Sequence, residues 1–361
     1  PYDIYAGIDT EGPGYDLSVD WDSLFPPGQP HRLSLGIYRP EWTFNYSSST
    51  TSFHNRELRY WVGANGDPSN TATSDDWKGI ANYIPDASPI TSLPFVTNFN
   101  LGQGNRYAIN GATLMTGAWS NLSVQDILPT WRWIVQSSGT KLTPTLEMDD
   151  AYYGGTSLKI AGTLNTTNDL KLYRCSLPVS AATNLRIVYK RGSVAASAMQ
   201  VALAFEDSPS TFYYLEVGNA GSAGWNTRSF NLSAHQGKRL AVIGLRFSSG
   251  SQISGYSMRV GQLAIYNGSI TTPAAPSELT VDRQESLDAD TLSLRLKWKK
   301  SSSQVHYYNV YLRNPDNSQT WLGATPNNVY FVPAARRKGA ETALAIEVEA
   351  VGPDFGVSSR L

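Results

Sequence analysis

The rhythm of apolar and polar positions changes along the chain. The N-terminal third alternates short continuous apolar runs with segments of helical spacing, and from roughly Asn110 onward the period drops to two. Three βα-like units are legible. The first run, residues 2–9, leads into a glycine-rich turn at 10–14. The second, residues 33–38, leads into Arg39-Pro40-Glu41-Trp42. The third, residues 94–104, carries apolar Phe95, Val96 and Phe99 together with polar Asn98 and Asn100, then breaks into Gly102 and Gly104. Continuous runs of this kind fit strands covered on both faces of a parallel sheet. Between the second and third runs, Leu58, Trp61 and Val62 share a helical face, with Gly63 placed to end the helix. A second helix is predicted with Ser74 as its cap and Trp77, Ile80, Ala81 and Ile84 on one face, and Pro85 ends it.

In the remainder, Leu185, Ile187 and Tyr189 alternate with polar residues, as do Met199, Val201, Leu203 and Phe205. Similar runs at 212–217, 240–247 and 258–266, separated by Gly, Ser and Asn, predict an antiparallel β-sandwich of jelly-roll type. Residues 269–276, punctuated by Pro273 and Pro276, read as an exposed linker. Beyond it, strands at 294–298, 308–312 and 345–351, with Trp298 as core, predict a small fibronectin type III or Ig-like sandwich.

Strands alternating with helices mean a parallel α/β sheet or barrel. Three units leave the faces and edges of such a sheet uncovered. The rest of a barrel is therefore expected N-terminal to Pro1 or from another chain. The expected boundaries are 1–110, 111–270 and 271–361.

A formal net charge of −1 supplies no field for nucleic acid or an anionic membrane. With 10 Trp and 20 Tyr but only 16% charged residues, the composition fits sugar-handling proteins. The lone Cys175 excludes an intrachain disulfide and reads as a small buried apolar residue. Its thiol count leans towards a cytoplasmic protein, with a secreted one as the alternative. No apolar run is long enough to span a membrane, and the N-terminus lacks a signal-peptide pattern. The sequons at Asn45, Asn121, Asn165, Asn231 and Asn267 matter only in a secreted chain.

Barrel enzymes place their working groups at the C-terminal ends of strands, which selects Asp9, Glu11, Tyr38, Glu41, Trp42, Asn98 and Asn100. In a sugar cleft, Tyr38 and Trp42 would stack on pyranose faces while the carboxylates and amides bind hydroxyls. The competing reading is a barrel rim in which Asp9 and Asn98 bond loop backbone and Trp42 is partly buried. Asp9 or Glu11 with Glu41 has the composition of a glycosidase carboxylate pair. His31, His54, His235 and His306 are scattered without ligand spacing, so no metal site is expected, and no phosphate loop is present. The segment from Asp149 and Asp150 to Gly154, Gly155 and Ser157 offers calcium or sugar ligands, but a structural turn is favoured.

The run at 2–9, Tyr38-Arg39-Pro40-Glu41-Trp42-Thr43, residues 58–63, residues 93–104, the stretch from Trp119 to Trp131 and residues 152–160 together, in this order, resemble the endo-β-N-acetylglucosaminidases of glycoside hydrolase family 85. The resemblance implies the C-terminal portion of a (β/α)8 TIM barrel followed by the two sandwiches. It also implies cleavage between the two N-acetylglucosamines of the N-glycan core, with high-mannose glycans as substrate class and no cofactor. In the family the substrate's own acetamide attacks the anomeric carbon, an Asn orients it, and a Glu two residues later is acid and then base. The Asn-X-Glu triplet of this chain, Asn55-Arg56-Glu57, falls in a helix and is rejected. The catalytic Asn and Glu are therefore expected upstream of Pro1 in the missing barrel half, and this chain alone is expected to lack activity. The alternative is a non-catalytic carbohydrate- or protein-binding β-sandwich fragment.

Overall fold

The computed structural model describes residues 3–68, 70–73, 75–84, 88–129, 133–192, 198–218, 224–339 and 341–361. The expected start of the first strand at Tyr2, the Ser74 cap, the Pro85 stop and Trp131 lie outside these residues.

The N-terminal unit is built on two parallel strands, β1 (Tyr5–Asp9) and β2 (Ser34–Tyr38), in the register Tyr5 to Ser34 through Asp9 to Tyr38. Short helices α1 (Trp21–Leu24) and α2 (Trp42–Asn45) follow the two strands. Helix α3 (Thr50–Val62) is opened by a reciprocal Ser49–Ser52 capping box and closed by Gly63 at φ +85°, as its spacing predicts. The second helix shrinks to α4 (Ile80–Tyr83). Gly79 holds φ +89° and packs against Gly63, so the backbone cannot be helical there, and Trp77 is buried outside the helix with its indole N–H donated to the Tyr60 carbonyl.

The helices bury Ile8, Trp21, Trp42, Tyr60 and Trp77 against one face of the pair. On the other face Gly7 has nothing beside it and Tyr5 is 66% exposed. The expected two-sided burial is thus met on one side only among the described residues.

The third expected barrel strand is a correction. Strand β3 (Phe95–Thr97) joins the sandwich instead of β1 and β2. It is followed by a hairpin, β4 (Gln103–Ile109) and β5 (Ala112–Ser120), whose turn at Asn110 and Gly111 is where the expected 110/111 boundary would cut. Strands β6 (Ile134–Ser137), β7 (Thr143–Glu147), β8 (Ser157–Leu164), β9 (Asn168–Pro178), β10 (Thr183–Arg191), β11 (Ala198–Phe205), β12 (Ser208–Glu216), β13 (Asn226–Asn231), β14 (Arg239–Ser248) and β15 (Ile253–Asn267) complete the sandwich. One sheet runs β13-β10-β15-β8-β7 with β3 also on β15, and the other runs β12-β11-β14-β9-β6. β3 pairs antiparallel to the end of β15, Phe95 opposite Ile265. Met199, Val201, Leu203 and Phe205 all enter the core between the sheets, as the alternation requires. Cys175 sits in the same core, where burial pushes its thiol up to about 12.

Six strands form the last module: β16 (Ser277–Ser286), β17 (Thr291–Lys299), β18 (Tyr307–Arg313), β19 (Gln319–Thr325), β20 (Val329–Arg336) and β21 (Ala345–Val351). They make two sheets, β16-β17-β20 and β19-β18-β21, around Trp298. The segment leading into it is exposed at residues 269, 271, 272 and 274, as expected, and is also held by hydrogen bonds. Asp354 accepts from both the amide and the hydroxyl of Thr271 at 2.7 and 2.8 Å, and the Ser301 hydroxyl donates to the Ala274 carbonyl.

An aromatic contact joins this module to the sandwich. Tyr107 of β4 stacks on Trp321 of β19 at 3.7 Å and 8°, and Trp119 meets Trp321 edge-on at 5.3 Å. Buried Asn309 satisfies the polar edges. Its carbonyl oxygen accepts from the Trp321 indole at 3.1 Å and its amide donates to the Tyr153 hydroxyl at 3.1 Å. Trp321→Ala should therefore destabilise the chain by about 3–5 kcal/mol, read as a lower urea midpoint. A wild-type midpoint would contradict this contact as a main support of the last module.

Candidate functional site

Asp9 and Tyr38 end β1 and β2 directly opposite one another. The strand ends are tied by Thr10, whose amide and hydroxyl both donate to the Tyr38 carbonyl, while the hydroxyl also lies 3.0 Å from the Arg39 carbonyl. Asp9 accepts from the Glu11 amide at 2.9 Å, fixing the turn after β1. Tyr38 is 57% exposed, with the Arg39 guanidinium 6.0 Å from its ring centroid.

Arg39, which sequence reasoning passed over, organises this end. It holds φ +60°, a left-handed conformation unusual for a residue with a Cβ. Its guanidinium pairs with Glu11 at 3.2 Å and Glu41 at 2.6 Å, and these two carboxylates, Glu11 first, raise its pKa. Glu11 and Glu41 are thus brought together across one cation. One cation holds two carboxylates, so the cluster keeps one net negative charge.

Trp42 is placed differently from the expected stacking platform. It is 7% exposed, lies edge-on to Tyr15 at 4.8 Å, and is covered by the Arg56 guanidinium 4.7 Å from its ring. The backbone of Gly14, at φ +53°, runs so close that a Cβ there would meet the indole at 2.0 Å. Both ring faces are occupied within the protein, so Trp42 is core. Trp42→Ala should lower the melting temperature and cost about 3–5 kcal/mol. A variant of unchanged stability that loses ligand binding would restore it as a platform.

Asn98 and Asn100 are also placed away from any rim, both being buried. The Asn98 carbonyl oxygen accepts from Gln262 on β15 at 2.9 Å. Asn100 donates its amide to the Val124 carbonyl, and its oxygen accepts from the Gly102 and Gly155 amides at 3.2 Å each. Gly154, at φ +87°, allows this approach, because a Cβ there would lie 2.5 Å from Asn100. The Asp149 to Ser157 segment is accordingly a structural turn, with Asp150 paired to Lys190 at 2.7 Å. The amides of Asn98 and Asn100 both donate to one Asp126 oxygen, at 2.6 and 3.2 Å.

Asp126 lacked any sequence signal beyond an acid between Val124 and Ile127. Burial pushes its carboxyl up to about 7, against the two amides that favour the carboxylate. The folded state therefore holds a proton that the unfolded chain releases from about pH 4 upward, so the stabilisation is full below that pH and is lost as pH rises through about 7. Asp126→Asn does not titrate. The melting temperature of wild type minus that of Asp126→Asn should fall between about pH 4 and 7; parallel pH curves would contradict the assignment.

Residues 1–107 match the family model of glycosyl hydrolase family 85, and residues 276–360 match the C-terminal domain of GH85 endohexosaminidases. The chain belongs to glycosyl hydrolase family 85. This family-85 chain is 28% identical over 196 residues to a cytosolic endo-beta-N-acetylglucosaminidase of Homo sapiens, covering 52% of this chain and 24% of that protein. To the like-named protein of Danio rerio it is 21% identical over 403 residues, covering 98% of this chain and 54% of that one. The glycoside hydrolase domain of Endo-D from Streptococcus pneumoniae R6 superposes with a TM-score of 0.88 at 29% identity, over 100% of this chain and 57% of that one. The chain thus spans at most 54% of the length of these two curated relatives.

Proposed function

We propose that this family-85 chain is the C-terminal part of an endo-β-N-acetylglucosaminidase that hydrolyses the core bond between the two N-acetylglucosamines of N-linked glycans, high-mannose glycans foremost. The observation that carries this reading is the uncovered face of β1 and β2, with Asp9 and exposed Tyr38 side by side at the strand ends and Arg39 gathering Glu11 and Glu41 beside them. Such a face fits the inner wall of a (β/α)8 barrel whose other strands are supplied by the missing N-terminal half. In this reading the two large sheets form a jelly roll and the last module a fibronectin type III-like sandwich, which their strand orders support.

In this reading Tyr38 stacks on a sugar face, and Asp9, Glu11 and Glu41 take hydroxyl protons as hydrogen-bond acceptors. The Asn-X-Glu pair that orients the acetamide and supplies the acid lies, in this reading, outside residues 1–361, which is supported by Asn55-Arg56-Glu57 sitting within helix α3 and not at the end of β1 or β2. The oxazolinium route then needs no protein nucleophile and no cofactor. The names of the relatives favour a cytoplasmic location, and no helix among the described residues is long and apolar enough to cross a membrane.

A high-mannose glycopeptide incubated with residues 1–361 should stay intact and should be cleaved once the upstream half is added. In that complete enzyme Tyr38→Ala should raise KM roughly tenfold or more, a loss of about 1.4 kcal/mol of binding. Cleavage by residues 1–361 alone, or unaltered kinetics in Tyr38→Ala, would refute the assignment of roles.

A further inference from the structure

A polar cleft of about 640 Å³ lies between the loop after α3 and the outer face of the second sheet. Asp67 and Asn70 come from the loop, Gln136 from β6, Lys141 from the turn before β7, Asp169 from β9 and Arg246 from β14, with the hydroxyls of Ser137, Ser138 and Thr167 between them. None of Asp9, Glu11, Tyr38 or Glu41 lines it. It is an open depression, and the apolar lining usual in small-ligand sites is replaced by hydrogen-bonding groups.

The charges bound its chemistry. Two carboxylates face two cations, and Asp169 and Arg246 are already joined by two bonds of 2.6 and 2.8 Å. A fork of this kind consumes its own charge, so the cleft offers little net attraction to an ion of either sign. What remains is a dense field of donors and acceptors, which suits a neutral polyhydroxylated ligand. The lining is held in place before any ligand arrives. Arg246 also stacks on the Tyr214 ring of β12 at 3.8 Å, and Gln136 donates to Asp67 at 3.3 Å. Little side-chain freedom is then lost on binding. Cross-strand register places Gln136, Asp169 and Arg246 in one row, with Gln200 and Glu216 continuing it, so adjacent planar polar groups follow one another across the sheet. This spacing suits successive hydroxyls along an oligosaccharide.

We propose that this cleft is a second carbohydrate-binding site, separate from the strand-end site, which takes a neutral glycan. The choice of an oligomannose glycan rests on the enzyme reading above, whereas the neutral polyhydroxylated class rests on the cleft alone. Asp67 and Asn70 belong to the N-terminal unit and the other lining residues to the sandwich, so the site exists only while the two are docked.

The test titrates the whole chain, by calorimetry and by amide chemical shifts, with a neutral oligomannose oligosaccharide, a neutral linear glucan oligosaccharide and a sialylated oligosaccharide. Oligomannose should bind wild type and Tyr38→Ala alike, with an affinity insensitive to salt. Asn70→Ala, which removes an exposed amide, should weaken it by at least roughly tenfold at unchanged melting temperature, and Gln136→Ala, which also removes a bond to buried Asp67, should weaken it as much with a lowered melting temperature. Glucan bound in place of oligomannose would support the cleft and count against the N-glycan reading. Binding of none of the three, binding of the sialylated ligand alone, or full affinity in both variants with loss in Tyr38→Ala, would overturn the cleft.

Discussion

Asn98, Asn100, Asp126 and Gln262 form a buried polar node, and although Asn98 Nδ2 and Gln262 Oε1 find no hydrogen-bond partner in it, the bonds its other atoms make set much of the local architecture. A buried amide or carboxyl left without a partner costs several kcal/mol, roughly 1–3 for each group. The backbone therefore converges on these side chains. Asp126 gathers the amides of residues 98 and 100, Asn100 reaches the Gly154-Gly155 turn, and Gln262 draws Asn98 towards β15. Thr156 closes the ring, its hydroxyl donating to the carbonyl of Phe99, itself a non-glycine residue at φ +56°. These bonds fix β3 onto the sandwich and set where the β4–β5 hairpin leaves. The hairpin in turn carries Tyr107 to Trp321, so the last module's placement depends on the same node.

What the sequence made legible was periodic or terminal. Alternation over four apolar positions fixed β11 as a core strand, Gly63 marked the end of α3, and Trp298 read as core. What it hid was long-range pairing. A three-residue run such as Phe95-Val96-Thr97 has the same pattern whether its neighbour is a parallel barrel strand or antiparallel β15. Gln262, a lone polar residue in the apolar run 260–265, was the available hint that a buried partner was needed. Trp42 was misread because a tryptophan just past a strand end looks the same whether its faces meet solvent or Gly14 and Arg56. Arg39 stood in the family-like run 38–43 without a role of its own, because its place comes from an unusual φ and from joining Glu11, distant in sequence, to Glu41, two residues on.

The site that emerges is smaller than the sequence list and better defined. Asp9, Glu11, Tyr38 and Glu41 stay together at the ends of two parallel strands, while Trp42, Asn98 and Asn100 support the fold behind them. Segment 94–104 therefore leads from the N-terminal unit into the sandwich from a buried position. The pinned segment at 269–276 and the aromatic contact at Tyr107 extend that connection to the C-terminus.

The most direct test of this account is native-state hydrogen exchange at the backbone amides of Asn98 and Asn100. Both donate to buried Asp126, so they should exchange only by global unfolding, as slowly as the core of β11. Exchange as fast as that of exposed turn amides would contradict it, and would return these asparagines to the rim of an open cleft.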